Sequence, residues 1–239
     1  MQNLPRLSEI RFASIDSGGR KLTGFPALLM MALAICFSLY VFSINSWLLL
    51  DLMRRSGVFA GLLLAMVFLL YPATAWSPRD RPTLLDYVLS VLGAAGGFYI
   101  WVTYLDFVER NLSLTNADIV FGTITILLAL EAGRRALGIW MTALAVIAIA
   151  YALYGRAMPY PFGHFGVTPE RLLIRMYMVD EGLFGSLLQV AQTYIGLFVL
   201  FGAFLTVIGA SEALTKIGLA LSGQYAGGPA KVAAIASGL

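Results

Sequence analysis

The sequence predicts an all-α, polytopic membrane protein with about six spanning helices and shorter amphipathic helices at the membrane surface. Two observations of composition lead to this fold class. Only 12% of the 239 residues are charged, whereas a soluble domain carries about 25%. The mean hydropathy is +0.83. So few polar groups could not cover a core of this apolarity in water, and we therefore expect the chain to lie in a lipid bilayer.

A third observation is a series of nearly uncharged windows, each long enough to cross a bilayer, which takes about 20 apolar residues. We expect spanning helices over residues 25–49, 56–78, 87–105, 113–133, 136–155 and 182–211. The fourth helix places Asp118 near one membrane interface and Glu131 near the other, because the uncharged stretch between them is too short to span alone.

Lysine and arginine are unevenly divided between the two sides of this arrangement. With the N-terminus in the cytoplasm, cytoplasmic segments hold ten of the 16 basic residues and the opposite side holds six. The positive-inside rule therefore favours this orientation, with the loops 50–56, 104–112 and 156–181 outside. Residues 1–24 are then a cytoplasmic leader, since the apolar run that follows is too long for a signal peptide.

Composition also excludes several classes of function. The net charge of +3 is small and scattered, which argues against a nucleic-acid partner. The single cysteine, Cys36, excludes an internal disulfide and a cysteine-based metal cluster, and we expect it in the core. The single histidine, His164, lies in a Gly/Pro-rich loop without a second ligand, which predicts a loop role and no metal. No catalytic constellation is present, so we expect no enzyme and no catalytic residue.

The stretch "LEAGRRALG" interrupts an apolar region with Glu131, Arg134 and Arg135. Charges at membrane depth are costly and are usually paired or functional. The spacings i, i+3 and i, i+4 allow local pairing on a helix. Two interpretations stay open: a cytoplasmic turn whose arginines set the topology, or a functional charge inside the membrane.

Two short segments have the pattern of amphipathic helices lying in the membrane plane. "TPERLLIRMYM" offers Thr168 as N-cap and Pro169 as first helical residue, with Arg171 and Arg175 on the polar side. The second segment is residues 211–223. In the sixth predicted span, Gly196, Gly202 and Gly209 lie along one apolar helix and predict close helix packing.

Several stretches together resemble a known family: "LEAGRRALG", "YALYG", "TYIGLFVLFGAFLTVIGASEAL" and "GGPAKVAAIAS". They are similar to the fused membrane permeases of tripartite ATP-independent periplasmic (TRAP) transporters, of the TAXI type. The resemblance covers most of residues 54–239. It implies a small-subunit-like membrane domain at 25–155, a periplasmic loop with an interfacial helix at 156–181, and the incomplete start of the large transport subunit at 182–239.

The resemblance also implies where transport chemistry would take place. In the family, re-entrant hairpins of the large subunit hold sodium and substrate near the membrane midplane. Residues 227–237 resemble the first arm of such a hairpin, opened by the helix-breaking residues Gly227, Gly228 and Pro229. Ser237 and Gly238 would approach its tip. Because the sequence stops there, we expect the chain to be one part of a larger permease, unable to transport alone.

The function implied by the resemblance is secondary transport of a small organic anion across the bacterial inner membrane, coupled to sodium and loaded by a periplasmic solute-binding protein. The partners implied are that binding protein and the remaining large permease portion, with sodium as the expected ion and no other cofactor. The candidate docking residues on the outer loop are Arg171, Arg175, Asp180 and Glu181. The alternative is a membrane scaffold or anchor subunit with no transport site of its own.

Overall fold

The computed structural model describes residues 11–13, 18–74, 76–210, 213 and 216. The structure is 73% helical, which confirms the all-α fold class. Within these described residues, six helices are long and apolar enough to cross a membrane: Phe25–Ser46, Leu52–Leu70, Leu84–Glu109, Asn116–Ala136, Ile139–Ala157 and Ser186–Val207. The second predicted amphipathic helix (211–223) and the predicted re-entrant arm, including Gly227, Gly228, Pro229, Ser237 and Gly238, lie outside the described residues.

The elements follow one another in a simple order. Two short antiparallel strands, β1 (Arg11–Ala13) and β2 (Lys21–Thr23), pair with Arg11 opposite Thr23. The first five helices are α1 (Phe25–Ser46), α2 (Leu52–Leu70), α3 (Leu84–Glu109), α4 (Asn116–Ala136) and α5 (Ile139–Tyr154). A 3-10 turn (Gly155–Ala157), α6 (Pro169–Leu173) and a π-helical turn (Ile174–Met178) come next. The sixth span consists of α7 (Ser186–Val190), a second π-helical turn (Ala191–Ile195) and α8 (Gly196–Val207).

Helix ends differ from the predicted windows by several residues. Helix α2 begins at Leu52, so Arg54 and Arg55 lie in its first turn and not in a loop. Helix α3 continues to Glu109, four residues past the end of the uncharged window at residue 105. The reason is that an uncharged window marks the part of a helix at hydrocarbon depth, whereas backbone hydrogen bonding continues into the interfacial region, where charged side chains are tolerated.

The chain forms two compact units, residues 1–193 and 194–239. In the first unit, α2 and α3 form the most extensive helix pair, α1 contacts α2, and α4 contacts both α2 and α3. A buried apolar cluster joins α2 and α3 to the segment after α5; its members are Met53, Ile100, Phe107, Leu173, Tyr177, Met178 and Phe184. The described part of the second unit consists mainly of α8.

Glycines allow the close approach of α2 and α3. Gly57 and Gly61 on α2 face Gly97 on α3, and a Cβ atom at Gly97 would collide with the Gly57 carbonyl and lie 2.5 Å from the Gly61 Cα. Both helices carry the small-xxx-small spacing that lets helices pack closely in lipid. Of the glycines predicted to pack, Gly202 and Gly209 lie in the second unit, and no described atom is within 4 Å of a Cβ added at either, so close packing there stays a prediction.

The segment predicted to lie at the interface begins as expected but is partly buried. The Thr168 hydroxyl oxygen accepts from the Arg171 backbone N–H at 3.4 Å, which confirms the N-cap. Tyr177, in the π-helical turn that follows, is fully buried, and its hydroxyl donates to the Gly96 carbonyl at 2.6 Å. Burial raises the pKa of the Tyr177 hydroxyl above its ordinary value, so that this donor stays protonated.

Cys36 corrects another expectation, because its side chain is exposed on the surface of α1 and not in the core. In a spanning helix the lipid-facing surface is as apolar as the packed face. Hydropathy therefore could not distinguish the two environments for this residue.

Candidate functional site

The charges of "LEAGRRALG" form ion pairs at the end of α4. Arg134 contacts Glu131 through Nε and Nη2, each at 2.8 Å, and the Arg135 Nε donates to Glu131 at 2.7 Å. The predicted i, i+3 and i, i+4 pairing is thereby confirmed. Helix α4 continues through both arginines, and the turn itself falls at Leu137 and Gly138, where φ is +94°.

Arg135 also reaches a carboxylate on another helix. Its Nη1 donates to the Asp86 Oδ1 at 2.6 Å, and both side chains are almost fully buried, with 1% and 0% exposure. The Arg20 Nη2 donates to the other oxygen of Asp86 at 2.6 Å, and the Arg20 side chain is likewise 0% exposed. The five residues Arg20, Asp86, Glu131, Arg134 and Arg135 are hereafter called the charged network.

Arg20 completes this network by capping the C-terminal end of α2. Its Nη1 donates to the carbonyls of Phe68 and Leu69, at 3.3 and 3.1 Å, and its Nε donates to the Pro78 carbonyl at 3.1 Å. The last carbonyls of a helix have no partner within the helix and carry its negative dipole end. A buried guanidinium at this place therefore satisfies acceptors that lipid could not satisfy.

Asp86 is held by its own helix as well as by the two arginines. The Thr83 backbone N–H and hydroxyl both donate to Asp86 Oδ2, at 2.9 and 2.8 Å, in a capping box at the start of α3. The carboxylate thus has four donors around it. Buried charges persist only when they are paired and hydrogen-bonded in this way.

The hydrogen bonds and ion pairs of the charged network all join groups of this chain, so the network can hold helices in position. It joins the residues before α1, the C-terminal ends of α2 and α4, and the N-terminal end of α3. Three guanidinium groups face two carboxylates, which leaves one net positive charge. Among the described residues, no group of three or more His, Cys, Asp or Glu side chains is placed to hold a metal ion.

Sequence reasoning missed Asp86 and assigned Arg20 only to the cytoplasmic leader. The available signal was "TLLD" at residues 83–86, which fits the capping pattern of Ser or Thr followed three residues later by an acidic residue. That pattern predicts a helix start, but it does not predict which distant arginines meet the carboxylate.

A second acidic residue has the same local arrangement at the opposite end of α3 and α4. Asp118 is 0% exposed and accepts from the Thr115 backbone N–H at 2.7 Å and from the Thr115 hydroxyl at 2.8 Å. The Tyr99 hydroxyl donates to the Asp118 Oδ1 at 2.7 Å, and the Arg110 Nη2 donates to Oδ2, the oxygen that Thr115 contacts, at 3.3 Å. Both ends of the α3–α4 pair are therefore closed by a capped carboxylate with an arginine partner.

A polar contact inside the membrane ties the sixth span to the first two helices. Gln192 lies in the second π-helical turn, is fully buried, and donates through Nε2 to the Ser56 hydroxyl oxygen at 2.9 Å. The Asn45 Nδ2 donates to the Gln192 backbone carbonyl at 3.0 Å. A π-helical turn changes the backbone bonding pattern locally, and such turns occur often at functional positions.

The candidate docking residues lie on the surface of the first unit. Arg171, Arg175, Asp180 and Glu181 are all exposed. Arg175 and Glu181 approach each other at 3.7 Å with side chains 67% and 61% exposed, so that pair is accessible and weak. His164 lies on the same connection, in the loop before α6, where it contacts backbone groups.

The sequence was compared with protein families, curated proteins and solved structures. Residues 124–239 match the family model described as "Tripartite ATP-independent periplasmic transporter, DctM component". The match supports the TRAP permease family. It implies a membrane component of a transporter and gives no support to an enzyme. No curated protein and no solved structure matches the chain.

The segment that matches the TRAP component begins at residue 124, inside α4. The resemblance had placed the start of the large subunit later, at residue 182. The matched segment includes Glu131, Arg134 and Arg135 of the charged network, but not Arg20 and Asp86. One buried ion pair, between Asp86 and Arg135, therefore joins the matched and unmatched parts of the chain.

Proposed function

We propose that the chain is a membrane component of a TAXI-type TRAP transporter in which small-subunit and large-subunit parts are fused. The observation that carries this proposal is the family match over residues 124–239. The preceding sequence supports it, because three further helices long enough to span a membrane come before the match. The buried ion pair of Asp86 with Arg135 also supports it, because this pair joins the sequence before the match to the matched segment.

The proposed activity is uptake of a small organic anion across the bacterial inner membrane, driven by a sodium gradient. A periplasmic binding protein delivers the solute, and the remaining large permease portion completes the transport pathway. The proposed docking surface for the binding protein consists of Arg171, Arg175, Asp180 and Glu181. Exposed charges of this kind steer the encounter of two proteins.

Uptake by proteoliposomes tests this function. The chain is reconstituted together with the remaining large permease portion and with binding protein loaded from a panel of radiolabelled mono- and dicarboxylates. We expect uptake that requires an inward sodium gradient and the binding protein. Uptake that requires ATP and ignores sodium would contradict the proposal.

The same assay tests the docking surface with a matched pair of variants. Reversal of Arg171 and Arg175 to glutamate should raise the half-saturating concentration of loaded binding protein, most strongly at low salt. Reversal of Arg79 and Arg81, which are exposed in the connection between α2 and α3, changes the net charge equally on the opposite side. That control should leave the half-saturation unchanged.

Orientation is a separate prediction. With the N-terminus in the cytoplasm, Tyr160 lies outside and Asp80 inside, as the distribution of basic residues favours. In a Cys36→Ser background, a membrane-impermeant maleimide added to intact spheroplasts should label Tyr160→Cys and leave Asp80→Cys unlabelled until the membrane is opened. The reverse pattern would show the opposite orientation.

A membrane anchor without its own transport site is the alternative function. The observation that favours it is that Arg20, Asp86 and Arg135 are buried and satisfied by partners within the chain. Glu131→Gln in the complete permease separates the two. If the chain is only an anchor, Glu131→Gln should at most alter assembly and should leave the uptake per inserted molecule normal. Loss of uptake with normal insertion would show instead that the charge of Glu131 takes part in transport.

A further inference from the structure

The loop of residues 155–168 folds back on the end of α5 through several hydrogen bonds. The His164 backbone N–H donates to the Gly155 carbonyl at 3.0 Å, and the Val167 N–H donates to the Ala152 carbonyl at 2.9 Å. From α5, the Tyr151 hydroxyl donates to the Phe162 carbonyl at 2.7 Å. The loop therefore has a defined shape, although it lies beyond the end of a spanning helix.

The imidazole of His164 lies at the centre of this loop and uses both ring nitrogens. The Gly166 backbone N–H donates to Nδ1 at 3.0 Å, so Nδ1 must be unprotonated. Nε2 lies 3.0 Å from the Tyr151 carbonyl, which can only accept, so Nε2 must carry the proton. The hydrogen bonds thus assign the neutral Nε2–H tautomer.

Two neighbouring groups restrict the position of the ring. Its centroid lies 4.8 Å from that of the Tyr151 ring, in an edge-to-face arrangement. On the other side the ring rests against Gly155, where an added Cβ would collide with the imidazole. Position 155 therefore accommodates the histidine because it has no side chain.

We propose that His164 is a proton-sensitive lock, which holds this loop when the imidazole is neutral and releases it when the imidazole is protonated. A proton on Nδ1 would face the Gly166 N–H, so the bond between them would be lost and a donor left without its acceptor. The locked loop requires one proton fewer than the released loop. By linkage, the lock is present at high pH and is lost as the pH falls.

Charged and titratable groups of the neighbouring elements lie around His164. Arg156, in the 3-10 turn, borders the same small cavity as His164 and donates through Nε to the Phe165 carbonyl. Tyr151 comes from α5, and α6, which also contacts α5, carries Glu170 and Arg171. Among the described residues, no carboxylate forms an ion pair with His164.

Release of the lock would change a surface of the protein. The loop carries Tyr160, Phe162 and Phe165, with exposed fractions of 97%, 66% and 91%. At neutral pH these aromatic side chains project from a fixed loop, and in acid they become mobile. This inference concerns the loop alone and does not depend on the proposed transport function.

Nuclear magnetic resonance tests the lock directly, because His164 is the single histidine of the chain. The full chain is labelled with ¹⁵N-histidine and placed in lipid nanodiscs. At about pH 8 we expect one imidazole N–H signal, from Nε2, and at about pH 5 a doubly protonated ring. A proton on Nδ1 at pH 8 would overturn the proposal.

A spin label at Phe162→Cys, in a Cys36→Ser background, measures the release itself. Loss of one hydrogen bond predicts a shift of roughly fivefold toward the mobile component between about pH 8 and about pH 5. The same label at Leu49→Cys, in the fully exposed α1–α2 connection, should show no such shift. Equal mobility of the Phe162 label at both pH values would overturn the proposal.

Three variants distinguish protonation of His164 from other causes of increased loop mobility. His164→Gln should abolish the pH response, whereas Tyr151→Phe, which removes only the bond to Phe162, should keep it. Gly155→Ala should displace the ring and make the loop mobile at both pH values. If His164→Gln keeps the full pH response, another group titrates and the proposal is wrong.

Discussion

Asp86→Asn is expected to lower the free energy of unfolding of the chain by about 3–5 kcal/mol, the usual effect of removing one partner from a buried ion pair. The substitution keeps the size of the side chain and an acceptor for Thr83. It removes the negative charge that faces Arg20 and Arg135, whose side chains are 0% and 1% exposed. Two guanidinium groups would then be buried with too little compensating charge.

The measurement is reversible unfolding in bicelles, with Asp80→Asn as the matched control. Asp80 lies six residues before Asp86 and is exposed in the same connection between α2 and α3. Its substitution should change the free energy of unfolding by less than about 0.5 kcal/mol. A loss for Asp86→Asn as small as that of the control would mean that the network contributes little to stability. Arg135→Met combined with Asp86→Asn should recover part of the loss, because it removes one of the uncompensated charges.

Gly97→Ala is the second substitution with a large expected effect. The new methyl group would meet backbone atoms of Gly57 and Gly61, which cannot rotate away. Helices α2 and α3 would have to separate, and overpacking of this kind costs about 1–3 kcal/mol. The gain in helix propensity from glycine to alanine, about 1 kcal/mol, opposes this cost only in part. We expect a net loss of about 1 kcal/mol.

Gly202→Ala on α8 provides the control of opposite sign. No described atom lies within 4 Å of the Cβ that this substitution adds. The helix-propensity term then acts alone, and the free energy of unfolding should stay the same or rise by up to about 1 kcal/mol. If Gly97→Ala were as stabilising as Gly202→Ala, the contact between α2 and α3 would have to be looser than the structure indicates.

The comparison of these two glycines shows what a sequence pattern could not decide. The glycines of the sixth predicted span were expected to mark a packed face, yet a Cβ added at Gly202 or Gly209 meets no described atom within 4 Å. A Cβ added at Gly57 or Gly97, in contrast, would collide with the backbone of the facing helix. Both sets are glycines in apolar stretches of the sequence. Small residues permit close packing in lipid, but a partner helix must also lie against that face. Only the fold determines which helix, if any, lies there.

The polar residues show the same limit. The pairing of Glu131 with Arg134 and Arg135 could be predicted because all three lie within one helical turn. The contacts of Asp86 with Arg135 and with Arg20 could not be predicted, because the partners are 49 and 66 residues apart in the sequence. Gln192 was missed because one uncharged amide barely changes the hydropathy of an apolar window, although it forms the buried contact with Ser56.

The sequence by itself determined the fold class, the six spanning segments, the N-cap at Thr168 and the local ion pairing within "EAGRR". Each of these depends on residues close together in the chain, where length, hydropathy and helical spacing are sufficient. Only the tertiary structure decided which charges meet, which glycines pack and which face of α1 carries Cys36. In a membrane protein both the core and the lipid-facing surface are apolar, so hydropathy locates a helix in the bilayer but not its partners.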